Sequence, residues 1–209
     1  MKSTAYKMEK YRKFFLQWAF PVVLSLIAVA VSFERNAYCS EEIVSKIPDR
    51  YGMALSYGYC IQPADEVAFA LATVFGMYGL DKIWDNRALD LLRVKAEISL
   101  GSSYMPDDKF MVSINIAGVY YLDKCLPWKT ENVRPYIDFG AGGIYTDFRI
   151  PGQGLRLNFN PIVSIGTEFK AGSGPPCFVA LRWSHVSNCE TKSENKGINS
   201  LMFMLGRFF

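Results

Sequence analysis

The chain has 209 residues, room for one domain of ordinary size once a leader is removed. Half of the residues are hydrophobic and 15% are aromatic, which is rich for a soluble domain, yet the polar remainder is spread too evenly for a bundle of membrane helices. The formal net charge of +3 is concentrated at the start: residues 1–40 carry six basic side chains against Glu9 and Glu34, hold +4 of that charge, and leave the remainder near −1, so the basic balance gives no ground for a nucleic-acid partner.

Residues 1–40 read as a secretory signal peptide. Lys2, Lys7, Lys10, Arg12 and Lys13 crowd the start, an apolar run from Phe14 to Phe33 follows, and Asn36, Ala37, Tyr38, Cys39 and Ser40 form a short exit with small residues. The apolar run approaches the roughly 20 residues that span a bilayer. Gln17, Pro21 and the small-residue exit favour cleavage over an uncleaved anchor. Residues 41–209 are then a single domain, because no repeat, low-complexity tract or linker divides them.

From there on the apolar residues recur at every second position, the period of a strand. Met53, Leu55, Tyr57 and Tyr59 alternate with Gly52, Ala54, Ser56 and Gly58 in the first segment. The second sets Val67, Phe69, Leu71, Thr73, Phe75 and Met77 against Ala68, Ala70, Ala72, Val74 and Gly76. In the third, Leu92, Val94, Ala96, Ile98 and Leu100 face away from Arg93, Lys95, Glu97 and Ser99; in the fourth, Val112, Ile114 and Ile116 oppose Ser113 and Asn115. Ile137 and Phe139 against Asp138 and Gly140 make the fifth, and Val163, Ile165 and Phe169 against Ser164, Gly166 and Glu168 the sixth. The seventh sets Val179, Leu181 and Trp183 against Ala180, Arg182 and Ser184, and the eighth runs from about Asn199 to Phe209. Turn-rich pieces separate them at 62–65, 81–87, 105–109, 123–132, 151–154, 171–176 and 188–197.

This pattern predicts an all-β fold, an eight-stranded antiparallel transmembrane β-barrel of the outer membrane. In such a barrel the bulky face meets lipid, while a narrow lumen takes Gly, Ala and ion pairs. The signal peptide supports it, and so do Arg93, Lys95, Glu97, Asp138, Glu168 and Arg182, which can pair in a packed lumen. The terminal Phe209 is the aromatic last residue that such barrels usually carry. Arg207 on the same face must then lie at headgroup level and snorkel, and Pro161, inside a strand of an edgeless sheet, needs a bulge.

The single histidine, His185, stands in Arg182-Trp-Ser-His-Val-Ser-Asn188. On a strand His185 and Ser187 share the face of Trp183, Leu181 and Val179, so an imidazole and a hydroxyl continue a lipid-facing row at a desolvation cost that invites a functional explanation. Together they offer a base-activated nucleophile for an ester carbonyl.

From about Arg134 to the end, the sequence resembles the outer-membrane lipid A 3-O-deacylases, the PagL-like family. The residues that carry the likeness are Arg134-Pro-Tyr-Ile-Asp-Phe-Gly-Ala-Gly142-Gly143, Leu157-Asn-Phe159, His185-Val-Ser-Asn188 and Asn195-Lys-Gly-Ile198. The resemblance implies a carboxylic ester hydrolase that removes an acyl chain, at the 3-position, from lipid A. It implies His185 as general base, Ser187 as nucleophile, and Asn195 with the backbone N–H near Glu190 as the oxyanion site. The family's orienting glutamate aligns with Asn199 here. Asn199 shares the face of Leu201, Phe203 and Leu205, so it can sit beside His185 across the last two strands and fix the ring, without offsetting imidazolium charge. Glu190 or Glu194 from the intervening loop are alternative sources of that charge.

With the mature N-terminus in the periplasm, His185 falls at the outer end of its strand. The same count places Cys60 and Cys189 in outer loops and Cys125 and Cys177 in periplasmic turns, giving Cys60–Cys189 and Cys125–Cys177 as candidate disulfides. No cofactor and no metal site are expected: with one histidine, zinc would rely on cysteines at opposite ends of the barrel. The expected partners are lipid A or lipopolysaccharide of the outer leaflet and the membrane itself, with a homodimer left open. The competing reading is a non-enzymatic small barrel with a structural or adhesive role, and a soluble lipocalin-like carrier stands third.

Overall fold

The computed structural model describes residues 49–80, 92–105, 108–122, 132–170 and 174–209, with the backbone alone at 64–66 and 105. The signal peptide expected at 1–40, Cys125 and most of the turns expected at 81–87 and 123–132 lie outside the described residues. The rest forms strands β1 (Arg50–Gln62), β2 (Ala64–Gly79), β3 (Leu92–Met105), β4 (Lys109–Tyr121), β5 (Val133–Thr146), β6 (Leu157–Phe159), β7 (Ile162–Phe169), β8 (Cys177–Val186) and β9 (Ile198–Phe208).

Every pairing is antiparallel, β1 pairs with both β2 and β9, and the β4–β5 ladder closes the sheet. β5 pairs with β7 through Val133–Gly140 and with β6 through Gly143–Tyr145, so β6 and β7 are two parts of one barrel strand. The barrel therefore has eight strand positions. The break falls at Asn160 and Pro161, as an imino acid without an N–H in an edgeless sheet requires. Backbone bonds bridge it: Asn160 N donates to Gly142 O at 2.9 Å, and His185 N donates to Pro161 O at 2.9 Å.

Alternation sets the two faces of the wall. Leu55, Ile98, Ile114, Ile116, Ile165, Leu181, Phe203 and Leu205 are exposed outward and form a hydrocarbon-facing band. The polar residues of the same strands turn inward. Arg182 donates from Nη2 to Glu97 at 3.1 Å and lies 3.4 Å from Asp138, and the Lys95 ammonium reaches Asp138 at 2.5 Å. All four are buried, and within this cluster each carboxylate meets two cations. Nearer the terminal rim Arg50 pairs with Glu168 at 2.9 Å, Tyr121 donates to the same carboxylate, and Arg93 meets Asp49 at 3.3 Å. Arg207 and Phe209 point outward at that rim, where the guanidinium can snorkel.

β2 departs from the expected orientation. Its bulky side chains, Val67, Phe69, Leu71, Phe75 and Met77, are buried in the lumen, while Ala72 and Val74 face out. The reason is its neighbour. β1 turns Gly52, Ala54, Ser56, Gly58 and Cys60 inward and leaves space that must be filled to interior density. A Cβ added at Gly52 would stand 2.6 Å from Phe75 Cζ, and one at Gly58 2.3 Å from Phe69 Cζ, so both rings occupy the room that glycine vacates. Phe75 also meets Phe178 and Phe208 edge-on, with centroids 5.6 and 5.4 Å apart.

The cysteines depart as well. Cys60 is part of β1 rather than a loop, fully buried on the lumen side, where its thiol donates to Pro63 O at 2.9 Å. Cys189 is exposed in the connection after β8, and Cys177 opens β8 rather than lying in a turn. No disulfide joins Cys60 to Cys189: one sulfur faces the lumen and the other the surface.

Candidate active site

His185 lies near the end of β8, directly opposite Asn199 of β9 in the ladder, and paired residues of an antiparallel sheet point to the same side. That side is the outer wall, since Leu181 and Leu201 on the same rows are exposed. Asn199 also lies beside Gln62, which closes β1, across a register shift after Cys60. Three strands thus bring three polar side chains together at one rim.

Their bonds form a chain. Asn199 Nδ2 donates to Gln62 Oε1 at 3.2 Å, and Asn199 Oδ1 lies 2.7 Å from His185 Nδ1. An amide oxygen can only accept, so Nδ1 carries the proton and Nε2 keeps its lone pair. The Trp183 ring stacks on the imidazole with centroids 5.9 Å apart and planes 13° apart. Below the ring Gly197 supplies clearance: a Cβ there would meet His185 Cε1 at 2.7 Å. The imidazole is held by one hydrogen bond, one stacked ring and one absent side chain.

Ser187 follows β8 and pairs with Phe159 of β6, Ser187 N donating to Phe159 O at 3.1 Å and Phe159 N to Ser187 O at 2.8 Å. Phe159 is exposed on the outer wall, so this pairing puts Ser187 on the same side as His185, although Ser187 itself is only 9% exposed. The Ser187 hydroxyl and the His185 ring share a side of the wall without being hydrogen-bonded in this structure.

The 187–197 connection is tied down on itself and to the 147–156 segment. Asn188 N donates to Asn195 Oδ1 at 2.8 Å, Gly154 N to Glu194 O at 2.8 Å, and Lys196 N to Gly152 O at 2.8 Å. Because Asn195 Oδ1 is engaged with a donor, its Nδ2 is the atom turned elsewhere, a donor of the kind an oxyanion needs. Cys189 and Glu190 carry left-handed backbone, φ 50° and 64°, which turns the chain sharply beside Ser187. The side chains of Glu190 and Glu194 are exposed, and neither is bonded to His185; Asn199 occupies the ring nitrogen that an orienting carboxylate would take.

Gln62, which the alternation puts in the turn at 62–65, is the last residue of β1. The Gln-Pro hairpin loop between Ile61 and Ala64 is so tight that Gln62 stays in register with Asn199. Gly197 belongs to the motif that carried the family likeness, yet only the packed ring shows what its missing side chain is for.

A closed eight-position barrel with an apolar outer band, a charged lumen and a polar cluster on its outer wall defines a small outer-membrane β-barrel with a surface site. No helix of the described residues is long and apolar enough to cross a membrane; the strands do so. The family of lipid A 3-O-deacylases (PagL) matches residues 77–207, and the chain belongs to that family. Its fold is similar to the crystal structure of the outer membrane enzyme PagL, at TM-score 0.52 and 22% identity over 74% of this chain and 97% of that one. It is also similar to Neisserial surface protein A (NspA), at TM-score 0.56 and 12% identity over 76% and 94%. No curated protein matches the chain in sequence. Family and fold place the protein in the bacterial outer membrane; the homodimer gains no support from either.

Proposed function

We propose that the protein is a serine esterase that removes the acyl chain ester-linked at the 3-position of lipid A, with Ser187 as nucleophile and His185 as base. The observation that carries this reading is the 2.7 Å bond from His185 Nδ1 to Asn199 Oδ1 on the lipid-facing wall, which leaves Nε2 as a base at a surface where a lipid can lie. Family membership supplies the substrate class.

The chemistry runs in two halves. Ser187 Oγ attacks the ester carbonyl carbon as its proton passes to His185 Nε2. The tetrahedral oxyanion is met by Asn195 Nδ2 and the backbone N–H of Glu190. Collapse breaks the bond to the sugar oxygen, which takes the proton from the imidazolium and leaves an acyl-Ser187. Water then attacks with the same base, and a fatty acid is released. Ser187 and His185 come within hydrogen-bond reach once substrate is seated, as catalytic contacts that are loose in an unliganded site commonly do.

The test is lipid A mass spectrometry on outer membranes carrying the intact protein, the Ser187→Ala variant, or neither. Loss of one 3-linked acyl chain with the intact protein alone supports the reading; identical spectra in all three sink it. A second reading, a non-enzymatic barrel, is favoured by the missing Ser187–His185 bond and by an amide where the family carries an acid. It predicts those identical spectra.

A further inference from the structure

We infer that Gln62 is a positioning residue for the proposed esterase: it fixes which way the Asn199 amide faces and thereby which nitrogen of His185 carries the proton. The inference rests on the assignment of His185 as base.

A glutamate next to an imidazole has two equivalent oxygens, so either orientation accepts a hydrogen bond from Nδ1–H. An asparagine does not. Turned one way it offers Oδ1 to His185; turned the other it offers Nδ2, whose N–H would oblige Nδ1 to accept and would move the proton to Nε2. The second tautomer has no lone pair at Nε2 and cannot take the Ser187 proton. The two orientations of Asn199 have nearly the same shape, so packing alone chooses between them weakly. Gln62 chooses. Its Oε1 lies 3.2 Å from Asn199 Nδ2, and an acceptor there holds the donating end of the amide away from the histidine.

The fold supplies this partner from far along the chain. Gln62 and Asn199 are 137 residues apart in sequence, yet neighbours in the β1–β9 ladder, and His185 is the next residue along in the β8–β9 ladder. The site faces the hydrocarbon side of the wall, where water competes poorly for amide groups, so each bond of the chain counts for more than it would on a soluble surface. An amide in the third position thus comes with a second amide that orients it.

His185 is the only histidine in the chain, so its ring nitrogens can be read by 15N NMR without assignment by mutagenesis. The measurement uses the folded barrel in detergent micelles at a pH where the ring is neutral, alongside fatty-acid release from lipopolysaccharide. In the unaltered protein the Nδ1–H tautomer is expected to dominate. Gln62→Leu removes the acceptor and is expected to shift the ring toward the Nε2–H tautomer and lower kcat about tenfold with KM little changed. Gln62→Glu, which can only accept, is expected to keep the Nδ1–H tautomer and to lose less of kcat than Gln62→Leu. Retention of a heat-modifiable gel band checks folding, and Gln62→Ser serves as the apolar variant's substitute if it does not insert.

An unchanged tautomer ratio in a folded Gln62→Leu or Gln62→Ser barrel overturns the inference, as does failure of Gln62→Glu to preserve it. If the ratio shifts as expected but the unaltered protein releases no fatty acid, the orienting role of Gln62 stands and the esterase reading fails.

Discussion

Replacing Asn199 by Asp keeps the side-chain shape, adds a negative charge and removes the donor to Gln62 Oε1, and its effect on the rate can be worked from the geometry. The side-chain oxygen lies 2.7 Å from His185 Nδ1, so a carboxylate there would face the imidazolium that the proposed attack by Ser187 forms. At a centre-to-centre distance of about 4 Å and an effective dielectric of about 20, the attraction is about 4 kcal/mol. His185 and Asn199 are both half-buried, so partial screening halves that to about 2 kcal/mol, or a rise of about 30-fold in kcat/KM. Exchange of a carboxylate for an amide costs about 10⁴ in serine-protease triads because the histidine adopts the wrong tautomer. Here Gln62 guards the tautomer, so the gain on restoring the acid is expected to be smaller. The assay is initial-rate fatty-acid release from lipopolysaccharide by purified, folded Asn199→Asp and unaltered protein. A folded Asn199→Asp barrel with an unchanged or lower rate would refute the argument, for it would mean that no positive charge develops on His185 in the rate-limiting step.

Two further substitutions test the supports of the site and of the barrel. Gly197→Ala places a methyl 2.7 Å from His185 Cε1 and is expected to displace the ring, abolishing deacylation while the barrel still migrates as folded on a heat-modifiability gel. Arg182→Met leaves Glu97 and Asp138 buried with Lys95 as their remaining cation in that cluster, and is expected to destabilise the barrel by about 3–5 kcal/mol in urea unfolding from lipid vesicles.

Period-two alternation was legible along nearly the whole chain because a closed sheet repeats one physical rule, one face to lipid and the next to the lumen, at every residue. It gave the all-β class, the eight strand positions and the charged lumen residues Lys95, Glu97, Asp138 and Arg182. The pairing of His185 with Asn199 followed from the same parity. What alternation does not carry is a sign: it says that Phe69 and Phe75 share a face but not which face, and only the glycines of β1, seen against those rings, decide it. Cys60 differs for a related reason: the connection expected over four residues, 62–65, is Pro63 alone, which keeps Cys60 within the strand and inside the wall.

The amino-acid sequence by itself thus determined the two-faced wall and the placing of His185 and Ser187 on one side of it, since both are local properties of side chains two apart. Tertiary closure decided how those residues are held: Gln62, Asn199 and His185 come from three strands, and no local rule links positions so distant until β1 and β9 zip together and complete the barrel.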